Sequence, residues 1–119
     1  MDKTSVLDLP EALSRVDGDQ DLFFTLAGLF LQESEKEVAA IRVALVRQDG
    51  AGLVAAAHKL KGSVIEMCAP RLFEGTKRLE ELGRQGELAE ASSVCADVEA
   101  SLDEVHVALR KLIAEGFSS

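Results

Sequence analysis

The sequence has no tryptophan and no tyrosine, and its aromatic content is five phenylalanines. Proline occurs only twice, at Pro10 and Pro70. With so few breakers, and with Ala, Leu, Glu and Arg abundant, the composition favours long helices. Cysteine is as scarce: Cys68 and Cys95 form no CxxC pair and have no histidine at ligand spacing. A metal site is therefore not expected, and both thiols read as reduced and structural. Positive charge is in deficit, with 13 Lys and Arg against 21 Asp and Glu, a formal net charge of −8. That balance argues against nucleic acid, whose binding rests on a basic surface, and against an anionic membrane. It suits a chain whose partners are other proteins. No apolar run approaches the ~20 residues of a membrane span. The opening Met1-Asp2-Lys3-Thr4-Ser5 lacks a signal-peptide layout. A cytoplasmic location is the expectation.

What is present is a chain of 119 residues, 47% hydrophobic and 29% charged, which suits one domain with a real core. Residues 1–7 read as a loose lead-in, 8–114 as the domain and 115–119 as a tail. Asp8-Leu9-Pro10-Glu11 is a helix start, with Asp8 as cap, Pro10 in the first turn and Glu11 reaching back as a capping box. That short helix is expected to stop near Asp17-Gly18. A long helix follows from about residue 20 to 47, capped by Asp19, with Leu22, Leu26, Leu29 and Phe30 on one face, then Val38, Ile41 and Leu45. A third, from about 51 to 67, carries the stripe Leu53, Ala57, Leu60, Val64 and Met67. Pro70 opens a fourth, with Leu72, Gly75, Leu79 and Leu82 inward and an end loosened from Gly83 to Gly86. The fifth, about 88 to 114, has the most regular spacing: Cys95, Val98, Leu102, Val105, Leu109 and Leu112. No segment alternates with a period of two. The expected fold is all-α: an antiparallel four-helix bundle with a short extra N-terminal helix.

The chain has two histidines. His106 follows Val105 on the last helix and reads as a boundary residue. His58 sits in Ala56-Ala57-His58-Lys59-Leu60-Lys61-Gly62-Ser63, about 100° round the helix from the buried Ala57 and so accessible. Lys61 and Gly62 are its neighbours one turn on. A glycine inside a helix costs about 1 kcal/mol relative to Ala, which makes sense where something must approach the ring closely. Lys61 would favour an anion at the imidazole and oppose protonation of the ring. A surface histidine beside a chance glycine is the competing reading of the same residues.

That segment resembles the signature of histidine-phosphotransfer (HPt) domains of bacterial two-component phosphorelays. The similarity extends to Leu7-Asp8-Leu9-Pro10-Glu11-Ala12-Leu13, to Leu29-Phe30-Leu31-Gln32-Glu33, and to Leu79-Glu80-Glu81-Leu82-Gly83-Arg84-Gln85-Gly86. The resemblance implies that His58 takes a phosphoryl group on Nε2 and passes it on. Lys61 would steady the phosphoryl oxygens and Gly62 would leave room for the partner. Glu80 matches the position that hydrogen-bonds the other ring nitrogen, and Arg84, one turn later, would touch the partner. An ordinary i, i+4 surface pair is the alternative for Glu80 and Arg84. The implied partners are receiver domains of response regulators and of hybrid sensor kinases. These bring the aspartate and Mg²⁺, so the chain, an expected monomer, needs no cofactor of its own and has no autonomous kinase activity. A degenerate adaptor that binds receivers without being phosphorylated is the rival reading.

The sequence also departs from the family pattern. After Ser63 the family continues with small residues, an Asn or similar, and a Gly; this chain has Val64-Ile65-Glu66-Met67-Cys68. Ile65, two turns from His58, would contribute an apolar contact to a partner. Cys68 in place of the usual glycine leaves the turn after the third helix open.

Overall fold

The computed structural model describes residues 6–117. The first five residues of the expected lead-in and the last two of the expected tail lie outside the described residues. Five helices follow one another: α1 (Leu9–Ser14), α2 (Gln20–Val46), α3 (Gly50–Met67), α4 (Pro70–Gln85) and α5 (Leu88–Glu115). There is no strand among the described residues.

Cross-helix contacts give the direction of each element. Along α2 and α5, Phe23 meets Phe117, Ser34 meets His106 and Arg42 meets Glu99, so the two run antiparallel. Along α4 and α5, Arg71 pairs with Glu104 and Arg78 with Glu90. Along α3 and α4, Gly50 lies against Gly83 and His58 against Glu80. Together with the α2–α3 contact, these pairs close an antiparallel four-helix ring. The short α1 rests on α2, and the Asp8 N–H donates to the Cys68 carbonyl at 2.8 Å, tying α1 to the end of α3.

The helix starts follow from side-chain chemistry. Asp8, Asp19 and Asp49 each accept a hydrogen bond from the backbone N–H three residues on, at 3.2, 3.0 and 2.9 Å. Each cap satisfies an otherwise orphaned donor and stabilises by about 1 kcal/mol. The expected capping box is only half formed, because the Asp8 N–H serves Cys68 and not Glu11. Helix α1 also ends earlier than expected, at Ser14; Gly18, at φ +77°, closes the following turn onto the Leu13 carbonyl. Cys68 does end α3 without glycine, held at φ +54° and ψ +56° in the left-handed region.

The α3 stripe is buried as expected: Leu53, Ala57, Leu60, Val64 and Met67 are all enclosed. Each full burial of a Leu, Val or Met side chain stabilises by roughly 1.5–3 kcal/mol. The stripe of α5 is buried as far as Leu109, with Leu112 half-buried. Helix α2 is turned from its expected orientation in its first half. Phe23, Ala27 and Phe30 face the core, Leu26 packs beside them, and Leu22 and Leu29 are exposed. In the second half Ala44 is buried where Leu45 was expected, and Leu45 is half-buried. On α4 Leu72, Leu79 and Leu82 are buried as expected, and Thr76 is buried where Gly75, which is half-buried, was expected.

Two glycines on α4 set helix separations. A Cβ on Gly75 would lie 2.8 Å from Val98 Cγ2, and one on Gly83 would lie 2.9 Å from Val54 Cγ2. Gly83 was expected to loosen the helix end, yet it sits inside α4 and lets α3 come close. At the ends of the chain, Leu7 is buried, and Phe117 packs against Phe23 and Phe24 with ring centroids 5.5 and 5.3 Å apart.

Candidate functional site

Helix α3 turns its buried stripe inward, which leaves the next residue round, His58, on the flank facing α4. The side chain of His58 is 69% exposed. Opposite it stands Glu80, adjacent to the core residue Leu79 and only 2% exposed. A buried carboxylate is costly unless it is paired, and this one has three partners. His58 Nδ1 lies 3.1 Å from Oε2, Lys61 Nζ lies 2.7 Å from Oε1, and the Arg84 guanidinium reaches Oε2 from one turn along α4. Lys61 above all, then His58 and Arg84, hold the Glu80 carboxyl below the usual range against the opposing effect of burial.

The chemistry of the ring follows from that. An ionised carboxylate only accepts hydrogen bonds, so His58 Nδ1 is the donor and carries the proton. In the neutral ring Nε2 then keeps its lone pair, and it has no protein partner among the described residues. The site thus presents one fixed imidazole tautomer with a nucleophilic nitrogen on an open surface.

The other expected site residues lie around this pair. Lys61 is nearby, but its ammonium is on Glu80 and its side chain is only 24% exposed. Gly62 is exposed, and a Cβ there would meet nothing within 4 Å, so the fold itself does not require glycine at this position. Ile65 is exposed further along α3, where it lines a shallow groove of about 240 Å³ shared with Val64, Pro70, Phe73, Asp8 and Glu11. Arg84 is brought to Glu80, with its own side chain mostly in water.

His106 is not a boundary residue. It is 3% exposed, its Nε2 lies 2.8 Å from the buried Ser34 Oγ, and its ring meets Phe30 edge-on. Glu35 Oε2 lies 3.4 Å from its Nδ1. A second buried acid has no signal in the local sequence pattern. Glu37 is enclosed at the α2–α3 contact and accepts from Ser63 Oγ at 3.2 Å. Nothing in the charged turn from Gln32 to Glu37 distinguishes it from Glu33 or Glu35.

The profile of the Hpt domain family matches residues 25–108, most of the chain. The chain belongs to the Hpt domain family. Among solved structures, this Hpt domain is similar to histidine-containing phosphotransfer protein B (HptB) from Pseudomonas aeruginosa. The TM-score is 0.83 at 28% identity, over 88% of this chain and 91% of that one. It shares its fold with the HPT domain of a sensor hybrid histidine kinase from Shewanella. There the TM-score is 0.84 at 17% identity, over 98% of this chain and 100% of that one. No curated protein matches it in sequence. Membership places the Hpt domain in phosphorelay signalling. Among the described residues, no helix is long and apolar enough to cross a membrane.

Proposed function

We propose that this Hpt domain accepts a phosphoryl group on His58 Nε2 from the aspartyl phosphate of one receiver domain and delivers it to the aspartate of another. The observation that carries the reading is the exposed His58 ring held at Nδ1 by the buried, ionised Glu80. In the forward step the Nε2 lone pair attacks phosphorus in line. The N–P bond forms, the P–O bond to the receiver aspartate breaks, and the electron pair leaves with the carboxylate. The Nδ1 proton stays in place, so the ring becomes cationic, and the Glu80 carboxylate balances that charge. Lys61, one turn from His58, is the ammonium that can be drawn from Glu80 to the phosphoryl oxygens. The reverse step runs through the same groups.

The partners on this reading are receiver domains of response regulators and of hybrid sensor kinases, which supply the aspartate and Mg²⁺. They dock over His58 and Gly62 and reach Ile65, with the Hpt domain acting as a monomer in the cytoplasm. The test is incubation with a phosphorylated receiver domain. The expected result is an acid-labile, base-stable label that His58→Gln abolishes while the circular dichroism spectrum stays helical. Label retained by His58→Gln would place the acceptor elsewhere. Receiver binding with no label in the wild type would make the chain an adaptor.

A further inference from the structure

Glu80 carries one negative charge and faces two permanent cations. Lys61 occupies Oε1 at 2.7 Å, while Arg84 occupies Oε2, the oxygen that also receives His58 Nδ1–H at 3.1 Å. The Arg84 side chain is 59% exposed, so water screens its pairing with the buried Glu80 on one side. Glu80 does not need Arg84 to stay where it is, because its side chain is enclosed and Lys61 anchors it from the other oxygen. What Arg84 does change is the charge available on Oε2. An oxygen that accepts from a guanidinium has less negative charge to offer a second donor.

We infer that Arg84 is a positioning residue that tunes the Glu80–His58 hydrogen bond and thereby how tightly His58 holds a phosphoryl group. The inference rests on His58 being the carrier, as proposed above. When Nε2 is bonded to phosphorus and Nδ1 keeps its proton, the ring is cationic, and a stronger acceptor at Nδ1 stabilises it. By sharing Oε2, Arg84 weakens that acceptor and keeps the phosphoryl group transferable. On delivery the N–P bond breaks and its electron pair returns to Nε2. A P–O bond forms to the receiver carboxylate, and the Nδ1 proton stays on the ring. Arg84 thus acts on the phosphoryl group from within the Hpt domain, through Glu80.

The test compares wild type, Arg84→Ala, Arg84→Lys, Glu80→Gln and the Arg84→Ala/Glu80→Gln double variant. Two readouts bear on the coupling and a third on docking. In the unphosphorylated chain, the Nδ1–H proton resonance of His58 moves downfield in Arg84→Ala and returns in Arg84→Lys. In the Glu80→Gln background the Arg84→Ala shift disappears, as expected of a coupled pair. In an equilibrium mixture with a receiver, Arg84→Ala moves label toward His58 by about two- to fivefold, the order of a modest ion-pair effect. Receiver affinity by calorimetry reports separately any contact of Arg84 with the partner. An unmoved resonance, an unmoved partition or a shift that persists without Glu80 would each overturn the inference. A wild type that takes no label overturns the carrier reading and this inference with it. The resonance, which needs no phosphate, distinguishes that failure from a failure of the Arg84 coupling alone.

Discussion

Gly83 lies so close to Val54 that a Cβ on the glycine would come within 2.9 Å of Val54 Cγ2, and within 3.3 Å of the Gly50 carbonyl oxygen. This contact sets the distance between α3 and α4, and Glu80 reaches His58 one turn away from it. Gly62 is also helical, but a Cβ there would enter open space.

The two glycines should therefore respond in opposite directions to the same substitution. Gly62→Ala gains helix propensity and raises stability by up to about 1 kcal/mol. Gly83→Ala gains the same propensity but overpacks the α3–α4 contact, for a net loss of about 1–3 kcal/mol. Urea denaturation of the two variants checks the signs. Gly83→Ala should also slow phosphoryl acceptance, because α4 carries Glu80.

Gly62→Gln tests the docking face. Gln is the better helix former, so the variant should melt at or above the wild-type temperature. Its transfer rate from a phosphorylated receiver should nevertheless fall at least tenfold, as a misplacement of about 1 Å in a transfer reaction can cost more than that. Ile65→Asp should weaken receiver binding by placing a charge in an apolar contact. Stopped-flow transfer kinetics and calorimetry provide the measurements. An unchanged rate for Gly62→Gln would move the docking face elsewhere.

Glu37 is a liability at neutral pH. Its Oε2 accepts from Ser63, while Oε1 is buried with no partner among the described residues, and burial raises its carboxyl above the usual range. A carboxyl raised in the fold favours the protonated native state. Its contribution is fully present below about pH 4.5, the ordinary value, and is lost as pH rises through the higher folded value. Glu37→Gln should then stabilise at pH 7 by about 1 kcal/mol, visible as a rise of a few degrees in Tm. The gain should vanish near pH 4. Thermal melts across that range decide it.

His106 works in the opposite direction. Burial, more than any neighbouring charge, lowers its tendency to protonate. The unfolded chain then binds more protons than the native one below the ordinary histidine value of 6.5. Stability is full above that pH and falls as pH drops toward the lower folded value. His106→Gln should cost about 1–2 kcal/mol at pH 8 through lost packing on Phe30 and Ser34. That cost should shrink between pH 6.5 and 5, because the variant has no buried imidazole to charge. In the phosphoryl-acceptance assay His106→Gln should be silent.

Helix α3 was legible because its apolar residues fall at three–four spacing with polar or small residues between them, so only one face can be inward. The start of α2 was not. Leu22, Phe23, Phe24, Leu26, Ala27, Leu29, Phe30 and Leu31 are apolar nearly all round, and packing against α5 and Phe117 selects Phe23 over Leu22. Gly83 could be read as a breaker because a sequence does not distinguish a glycine that ends a helix from one that admits a neighbour. His106 is buried because Ser34 on α2 is small and offers its hydroxyl, a pairing across 72 residues that no local pattern contains. At the site, the helical angle alone placed His58 in solvent and Ile65 on a related side. The ammonium of Lys61 was expected near the ring, and only the depth of Glu80 explains why it rests on the carboxylate.

The openness of His58 has a price for whatever it carries. A phosphoryl group on Nε2 would be met by water as readily as by a receiver, since the side chain is 69% exposed. Such a group is perishable currency, useful only while moving. Any fidelity of the relay would then reside in the brief encounter between two surfaces, and the lifetime of the signal in the traffic of partners past one uncovered nitrogen.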